Sequence, residues 1–150
     1  MTEIHVDAPR LWLVLARCHR VLSQIAEHSI EEAGLCLSDF MALEALLHKG
    51  PLTITEIQGK VLLASGSMTA AVDRLEQKGF VVRRAAPRDR RAKVLELTRE
   101  GRRVVKTVFQ RHAAVLESAM AVLDPGEKRQ LHALLKKLGL FAAAQKEISK

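Results

Sequence analysis

A mainly helical fold with one small β-hairpin (α+β) is what this sequence predicts, and three observations carry the prediction. Apolar residues recur at three- and four-residue spacing over most of the chain. Between residues 80 and 97 that period gives way to short, alternating, β-branched runs. Glycine, proline and hydroxyl-bearing residues stand where the periodic stretches begin and end.

The first helix is expected over residues 8–33, where Leu11, Val14, Leu15, Cys18, Leu22 and Ile25 make one apolar stripe and Gly34 stops it. Ser38 is the expected cap of a second helix, with Phe40, Leu43, Leu46 and Leu47 inward and Gly50-Pro51 as terminator. Thr53 and Glu56 have capping-box spacing, so a short third helix runs to about residue 62. Gly59 inside it costs roughly 1 kcal/mol relative to Ala, which leaves two readings: a looser helix, or one packed closely on a neighbour. Ser65 is the expected start of a fourth helix that buries Met68, Ala71, Val72 and Leu75 and projects Ala70, Asp73, Arg74 and Gln77. Lys78-Gly79 closes it.

Phe80-Val81-Val82 and Val94 to Leu97 are the two strands, joined by a turn after Pro87. Thr98 caps a long helix to about residue 123 with Val105, Val108, Phe109, Leu116, Ala119 and Met120 inward. Asp124-Pro125-Gly126-Glu127 opens a last helix carrying Leu131, Leu134, Leu135, Leu138 and Phe141.

A chain of 150 residues with 48% hydrophobic and 27% charged residues fits one domain, or a compact module with dimerising extensions. No apolar run approaches the roughly 18 residues of a membrane span. Pro9 and Arg10 interrupt any signal-peptide core, so a cytoplasmic protein is expected. The two cysteines, Cys18 and Cys36, are too few for a disulfide framework and lack CxxC spacing. No two of the six histidines stand at i, i+4 and none has a cysteine at zinc spacing, so neither metal nor cofactor is expected. There is no Gly-rich phosphate loop, no nucleophile with an evident base and no HExxH, which argues against an enzyme.

Charge points to a partner. From Lys78 to Lys93 there are seven Lys/Arg against one acid, Asp89, within a chain whose net charge is only +7. A basic finger on a nearly neutral body is the footprint of a polyanion. Anionic membrane would call for a basic amphipathic helix rather than a hairpin with proline near its tip, so nucleic acid is favoured and no membrane partner is expected.

Three short helices followed by a two-stranded hairpin is the order of a winged helix-turn-helix, whose last short helix enters the major groove with the hairpin beside it. Ser65, Gly66, Ser67, Thr69 and Ala70 leave the start and outer face of that helix unobstructed, and its free N–H groups suit a phosphate. Arg74, one turn on, is placed to read guanine O6/N7, against the alternative that it only pairs with Asp73 or Glu76. Lys78, Arg84, Arg88, Arg90, Arg91 and Lys93 supply charge to the DNA, and Asp89 pairs with Arg91 to hold its guanidinium extended into the minor groove.

The run Asp89-x-Arg91-x-x-x-Leu95-x-Leu97-Thr98-x-x-Gly101 resembles the wing and following helix start of the MarR family of bacterial transcription regulators. Ser67 to Gly79 resembles that family's recognition helix and its exit, and the likeness extends over essentially the whole chain. The resemblance implies a winged helix-turn-helix with long N- and C-terminal dimerisation helices, divided as 1–37, 38–98 and 99–150. It implies a homodimer on a pseudo-palindromic operator in double-stranded DNA, in the usual case a repressor, released by a small molecule or an oxidant. It places Ser65, Ser67, Thr69 and Arg74 at recognition-helix contact positions and Asp89 with Arg91 at the wing pair.

For sensing, Trp12, His19, Phe40, His48 and Phe109 are candidate lining of a cavity for a small aromatic or anionic effector, with ordinary core packing as the alternative. Cys18 lies on the apolar stripe and is expected to be a buried, inert thiol; Cys36 precedes the second helix, and packing is favoured there too over a redox role. The competing function is a winged helix used for protein–protein interaction without sequence-specific DNA binding, which would want an apolar recognition face instead of Ser, Thr and Arg.

Overall fold

The computed structural model describes residues 6–60, 67–87 and 91–148. In order it holds α1 (Ala8–Glu31), α2 (Leu37–Lys49), α3 (Ile54–Lys60), α4 (Met68–Gln77), β1 (Val81–Ala85), β2 (Lys93–Leu97), α5 (Arg99–Ala119) and α6 (Pro125–Ile148). The chain divides into two compact units, Met1–Leu116 and Glu117–Lys150.

In the first unit the core is organised around α2. Phe40, Leu43 and Leu46 are buried there and receive Ile57 from α3, the Met68, Ala71, Val72, Leu75 face of α4, Val81 and Leu95 from the hairpin, and Val105 from α5. Fully burying each such aliphatic side chain stabilises the fold by about 1.5–3 kcal/mol. The strands pair antiparallel with Val81 opposite Leu97 and Ala85 opposite Lys93. A third piece of sheet lies beyond what the sequence indicated. Leu52, expected only to follow a helix terminator, pairs with Leu95: its N–H donates to the Leu95 carbonyl at 3.2 Å and its carbonyl accepts from the Leu95 N–H at 2.8 Å. The foot of the hairpin is thereby tied to the connection between α2 and α3.

Local boundaries follow side-chain hydrogen bonds. Asp7 accepts from the Arg10 N–H at 2.9 Å and starts α1, and Gly34 at φ +72° turns the chain out of it. The Thr53–Glu56 capping box forms in both directions, at 3.2 Å and 2.7 Å. The Thr53 N–H, and then its hydroxyl, hold the Glu56 carboxyl below its usual range. Asp124 and Glu127 make the same reciprocal cap on α6, each bond 2.9 Å.

Three expectations are corrected, and a fourth falls outside the described residues. Ser38 does not cap α2: Cys36 stands at the N-cap without a side-chain bond, because Leu37 is already helical and the Ser38 hydroxyl is turned to Cys36 Sγ and Arg74. The described part of α4 begins at Met68 with Ser67 as cap, Oγ accepting from the Ala70 N–H at 3.3 Å; the expected start at Ser65 lies outside the described residues. α5 ends at Ala119 and not near residue 123, the chain passing into three-residue turns closed by Ala121 and Leu123 N–H bonds to Ser118 and Met120. Cys18 and Cys36 are both exposed. The stripe carrying Cys18 is only partly covered among the described residues: Leu11 and Val14 are half exposed or more, Leu15, Leu22 and Ile25 are half-buried, and α1 fully buries Ser29 and Ile30 near its C-terminus.

The wing is pinned at its base. α4 exits through a Schellman pattern, with the Phe80 N–H on the Leu75 carbonyl, the Gly79 N–H on the Glu76 carbonyl, and Gly79 at φ +72°. Thr98 then joins three segments: its N–H donates to the Phe80 carbonyl at 3.0 Å, its hydroxyl donates to the Gly79 carbonyl at 2.6 Å, and its Oγ1 accepts from the Gly101 N–H at 2.9 Å. The first turn of α5 is drawn so close that a Cβ on Gly101 would stand 1.9 Å from the Phe80 carbonyl oxygen. Gly59 is the opposite case, with no atom of the described residues within 4 Å of its would-be Cβ, so close packing does not explain it. Gly101→Ala is expected to lower the unfolding free energy by about 2 kcal/mol or more. Gly59→Ala is expected to raise it by about 0.5–1 kcal/mol. Urea unfolding followed by far-UV circular dichroism checks both signs.

Candidate nucleic-acid interface

α4 presents one buried and one open face, as its 3.6-residue period requires. Ser67, Thr69, Ala70, Asp73 and Gln77 are exposed, opposite Met68, Ala71, Val72 and Leu75. Small side chains at 67, 69 and 70 leave the backbone at the start of the helix approachable, with Ser67 Oγ already used as the cap.

Arg74 is built into a cluster that sequence reasoning missed. Its guanidinium donates to Asp39 Oδ1 from Nε at 3.1 Å and from Nη2 at 2.6 Å, and Nη2 also lies 3.3 Å from Ser38 Oγ and from Cys36 Sγ. Asp39 is only 2% exposed, a carboxylate inside the α2–α4 contact. Its hydrogen bond with Arg74 raises the guanidinium's pKa further above its ordinary value. Lys78 approaches the other oxygen, Oδ2, at 3.9 Å and donates to the Gly34 carbonyl at 2.7 Å. The signal in the sequence was an acid directly before Phe40 at the start of the apolar run Leu37 to Leu47, and Asp in a first helical turn is usually read as a dipole complement.

The acids expected to compete for Arg74 are engaged elsewhere. Arg83 in β1 donates to Asp73 at 2.5 Å and to Glu76 at 2.8 Å, fastening the wing to α4, and these acids raise its pKa in turn. Arg84 pairs with Glu96 across the hairpin at 2.8 Å. Of the cations expected to face DNA, Arg74, Lys78 and Arg84 thus pair with acids or carbonyls of the chain, and Arg91 and Lys93 are exposed, Arg91 being engaged within the protein as well. Arg88, Asp89 and Arg90, and with them the expected Asp89–Arg91 pair, lie outside the described residues, as does Ser65.

The expected effector lining separates into two groups. Phe40 packs on His112 with ring centres 5.1 Å apart, and His48 meets Phe109 edge-on at 5.3 Å, both between α2 and α5. Trp12 is 68% exposed on α1, where His19 only meets Ser23, so these two do not join the lining. Ser29 adds a buried polar contact. Its hydroxyl donates to the Ala26 carbonyl at 2.7 Å and shares a hydrogen bond with His112 Nδ1 at 2.9 Å. Arg111 and Glu32 pair beside this junction of α1 and α5. An open groove of about 320 Å³ lies over α2, lined by Met41, Glu44, Ala45, His48, Lys49 and Lys60. No group of three or more potential metal ligands occurs among the described residues.

The family model described as "MarR family" matches residues 35–93, which span α2 through the start of β2. The HTH-type transcriptional regulator MhqR of Bacillus subtilis (strain 168) is 38% identical over 133 residues, 89% of this chain and 92% of its own length. The chain belongs to the MarR family. Among solved structures, Bordetella bronchiseptica BpsR, described with regulation of its DNA binding by 6-hydroxynicotinic acid, superposes with a TM-score of 0.77 at 20% identity, covering 91% of this chain and 98% of its own. CouR of Rhodococcus jostii RHA1, bound to p-coumaroyl-CoA, gives 0.75 at 22% identity, covering 85% and 90%. At these identities the likeness is one of fold. The protein is therefore a MarR-family transcriptional regulator with a DNA-binding winged helix, and not an enzyme.

Removing Arg74 leaves Asp39 buried with only the more distant Lys78, whereas removing Arg83 breaks two exposed pairs. Arg74→Met is expected to cost about 3 kcal/mol of stability. Arg83→Met is expected to cost about 1 kcal/mol or less. Urea midpoints of the two variants measured side by side give the comparison.

Proposed function

We propose that this regulator acts as a homodimeric repressor that binds a pseudo-palindromic operator through α4 and the wing and is released by a small aromatic or anionic effector or by an oxidant. The observation that carries the DNA-reading part is the pairing of an open Ser/Thr/Ala helix face with a basic hairpin fastened to that same helix by Arg83. The polar character of the face disfavours a protein-interaction module, which would bury apolar side chains there. Ser67, Thr69 and Ala70 approach the major groove together with Ser65, while Arg84, Arg88, Arg90, Arg91 and Lys93 track the backbone and minor groove, with Asp89 orienting Arg91. Lys78 contributes to the positive field from its anchor on Gly34.

Dimerisation is supported by apolar surface that one chain leaves open. Leu11, Trp12, Leu13 and Val14 on α1 are 48–68% exposed, and Leu131, Leu134, Leu135, Leu138 and Phe141 on α6 are 41–65% exposed. Stripes of this kind mark association surfaces. Residues 1–37 and 99–150 would supply the dimer and 38–98 the DNA-binding head. None of the helices among the described residues is long and apolar enough to cross a membrane, and a cytoplasmic location goes with the proposed role.

For the signal, the Phe40–His112 and His48–Phe109 pairs supply aromatic faces where α5 meets the reading head, and the ligands named for BpsR and CouR are an aromatic acid and an aromatic thioester. Trp12 and His19 would join such a site only through a partner subunit. Exposed Cys18 and Cys36 are open to oxidants.

Sedimentation velocity is expected to give a dimer, with Leu134→Glu/Leu138→Glu shifting it to monomer and weakening DNA binding; a monomeric wild-type chain overturns the model. Operator affinity is expected to fall by roughly 10³-fold between about 50 and 200 mM salt if some six phosphates are neutralised. Fluorescence anisotropy on a duplex from the chain's own upstream region measures this, and a flat response removes the wing from the interface.

A further inference from the structure

We propose that Asp39, a residue of α2 outside the DNA-facing surface, is the positioning residue that fixes Arg74 in orientation for reading one base pair in each operator half-site. The proposal rests on the reading of α4 as the recognition helix and names what sets its specificity.

Arg74 is the only cation within α4, whose remaining charges, Asp73 and Glu76, are held by Arg83. One edge of its guanidinium, Nε and Nη2, is bound by the single oxygen Oδ1 of a carboxylate that is 2% exposed and therefore has little freedom to follow it. The side chain is nonetheless 43% exposed, and Nη1 makes no hydrogen bond among the described residues. Rotation of the guanidinium is thus restrained from within the protein while part of its donor fork stays available. An unrestrained arginine loses rotamer freedom when it docks on a base; here much of that loss is already taken in the free protein, so the oriented donor gains affinity and selectivity on binding. Ser38 Oγ, Cys36 Sγ and Lys78 surround the same carboxylate–guanidinium pair. A lysine at 74 would offer a point charge without a second edge, and would not be able to bind Asp39 and a base in the same way.

A buried ion pair is weak evidence for stability, because replacement of both partners by apolar residues of similar size is often neutral or stabilising. Stability alone therefore does not account for the acid at position 39. A specificity role does, and it separates the two properties experimentally.

The test uses the full-length chain and a randomised duplex pool. The wild-type protein enriches a sequence from the pool, and Asp39→Asn, Arg74→Ala and the double variant Asp39→Leu/Arg74→Leu are then profiled on single-base variants of that sequence and on a scrambled duplex. Asp39→Asn and Arg74→Ala are expected to flatten the preference at the same base pair of each half-site, by about 10- to 100-fold. Preferences elsewhere and binding to the scrambled duplex should stay within about 2-fold. The double variant should fold, by far-UV circular dichroism, and show the same flattened position with no further loss. A merely structural role predicts loss at every position together. Uniform flattening, an unchanged profile for folded Asp39→Asn, or losses from the two positions that add in a double Asp39→Asn/Arg74→Ala variant, each overturns the inference. A wild-type chain that enriches no sequence instead overturns the DNA-reading assignment on which it stands.

Discussion

The close approach of α5 to the Phe80 carbonyl is the constraint on which the reading head depends. Two stretches distant in sequence, the passage from α4 into β1 at Gly79-Phe80 and the start of α5, share one small volume. They do so because residue 101 has no Cβ and because Thr98 serves three hydrogen bonds from one residue. Backbone polar groups drawn together at this crossing need partners, and Thr98 supplies them to Gly79, Phe80 and Gly101. The wing is held at this crossing, again by the Leu52–Leu95 bridge, and through Arg83 to Asp73 and Glu76 of α4. The motif Leu97-Thr98-x-x-Gly101 is thus a description of a packing contact.

Charge is used in two ways in this small unit. Near the base of the wing and along α4, cations are matched one by one: Arg74 and Lys78 with Asp39, Arg83 with Asp73 and Glu76, Arg84 with Glu96. These pairs set angles between elements, and their exposed members add little stability. Farther along the hairpin Arg91 and Lys93 are exposed, and there charge faces solvent.

The junction of α1, α2 and α5 couples the helical frame to the reading head by different chemistry. Ser29, His112 and Phe40 connect the end of α1 to α5 and α2 through a side-chain hydrogen bond and a tilted ring pair. The apolar stripes of α1 and α6 that remain exposed have the composition of helix–helix interfaces, and the cysteine on α1 is exposed because its stripe is. Burial predicted from periodicity holds only where the chain itself supplies the covering element.

The order of six helices and one hairpin, and the buried face of α4, followed from the sequence alone, because apolar period and caps such as Thr53–Glu56 and Asp124–Glu127 are local and act within one turn. The tertiary structure decided what lies between elements. It decided that Arg74 meets Asp39, thirty-five positions away, and not the neighbouring Asp73 or Glu76. It decided that Leu52 joins the sheet, and that Gly101 is required by contact and Gly59 is not. A charged side chain can choose among every opposite charge within its reach, and that choice depends on where packing has placed distant backbones; no periodicity in the sequence records it.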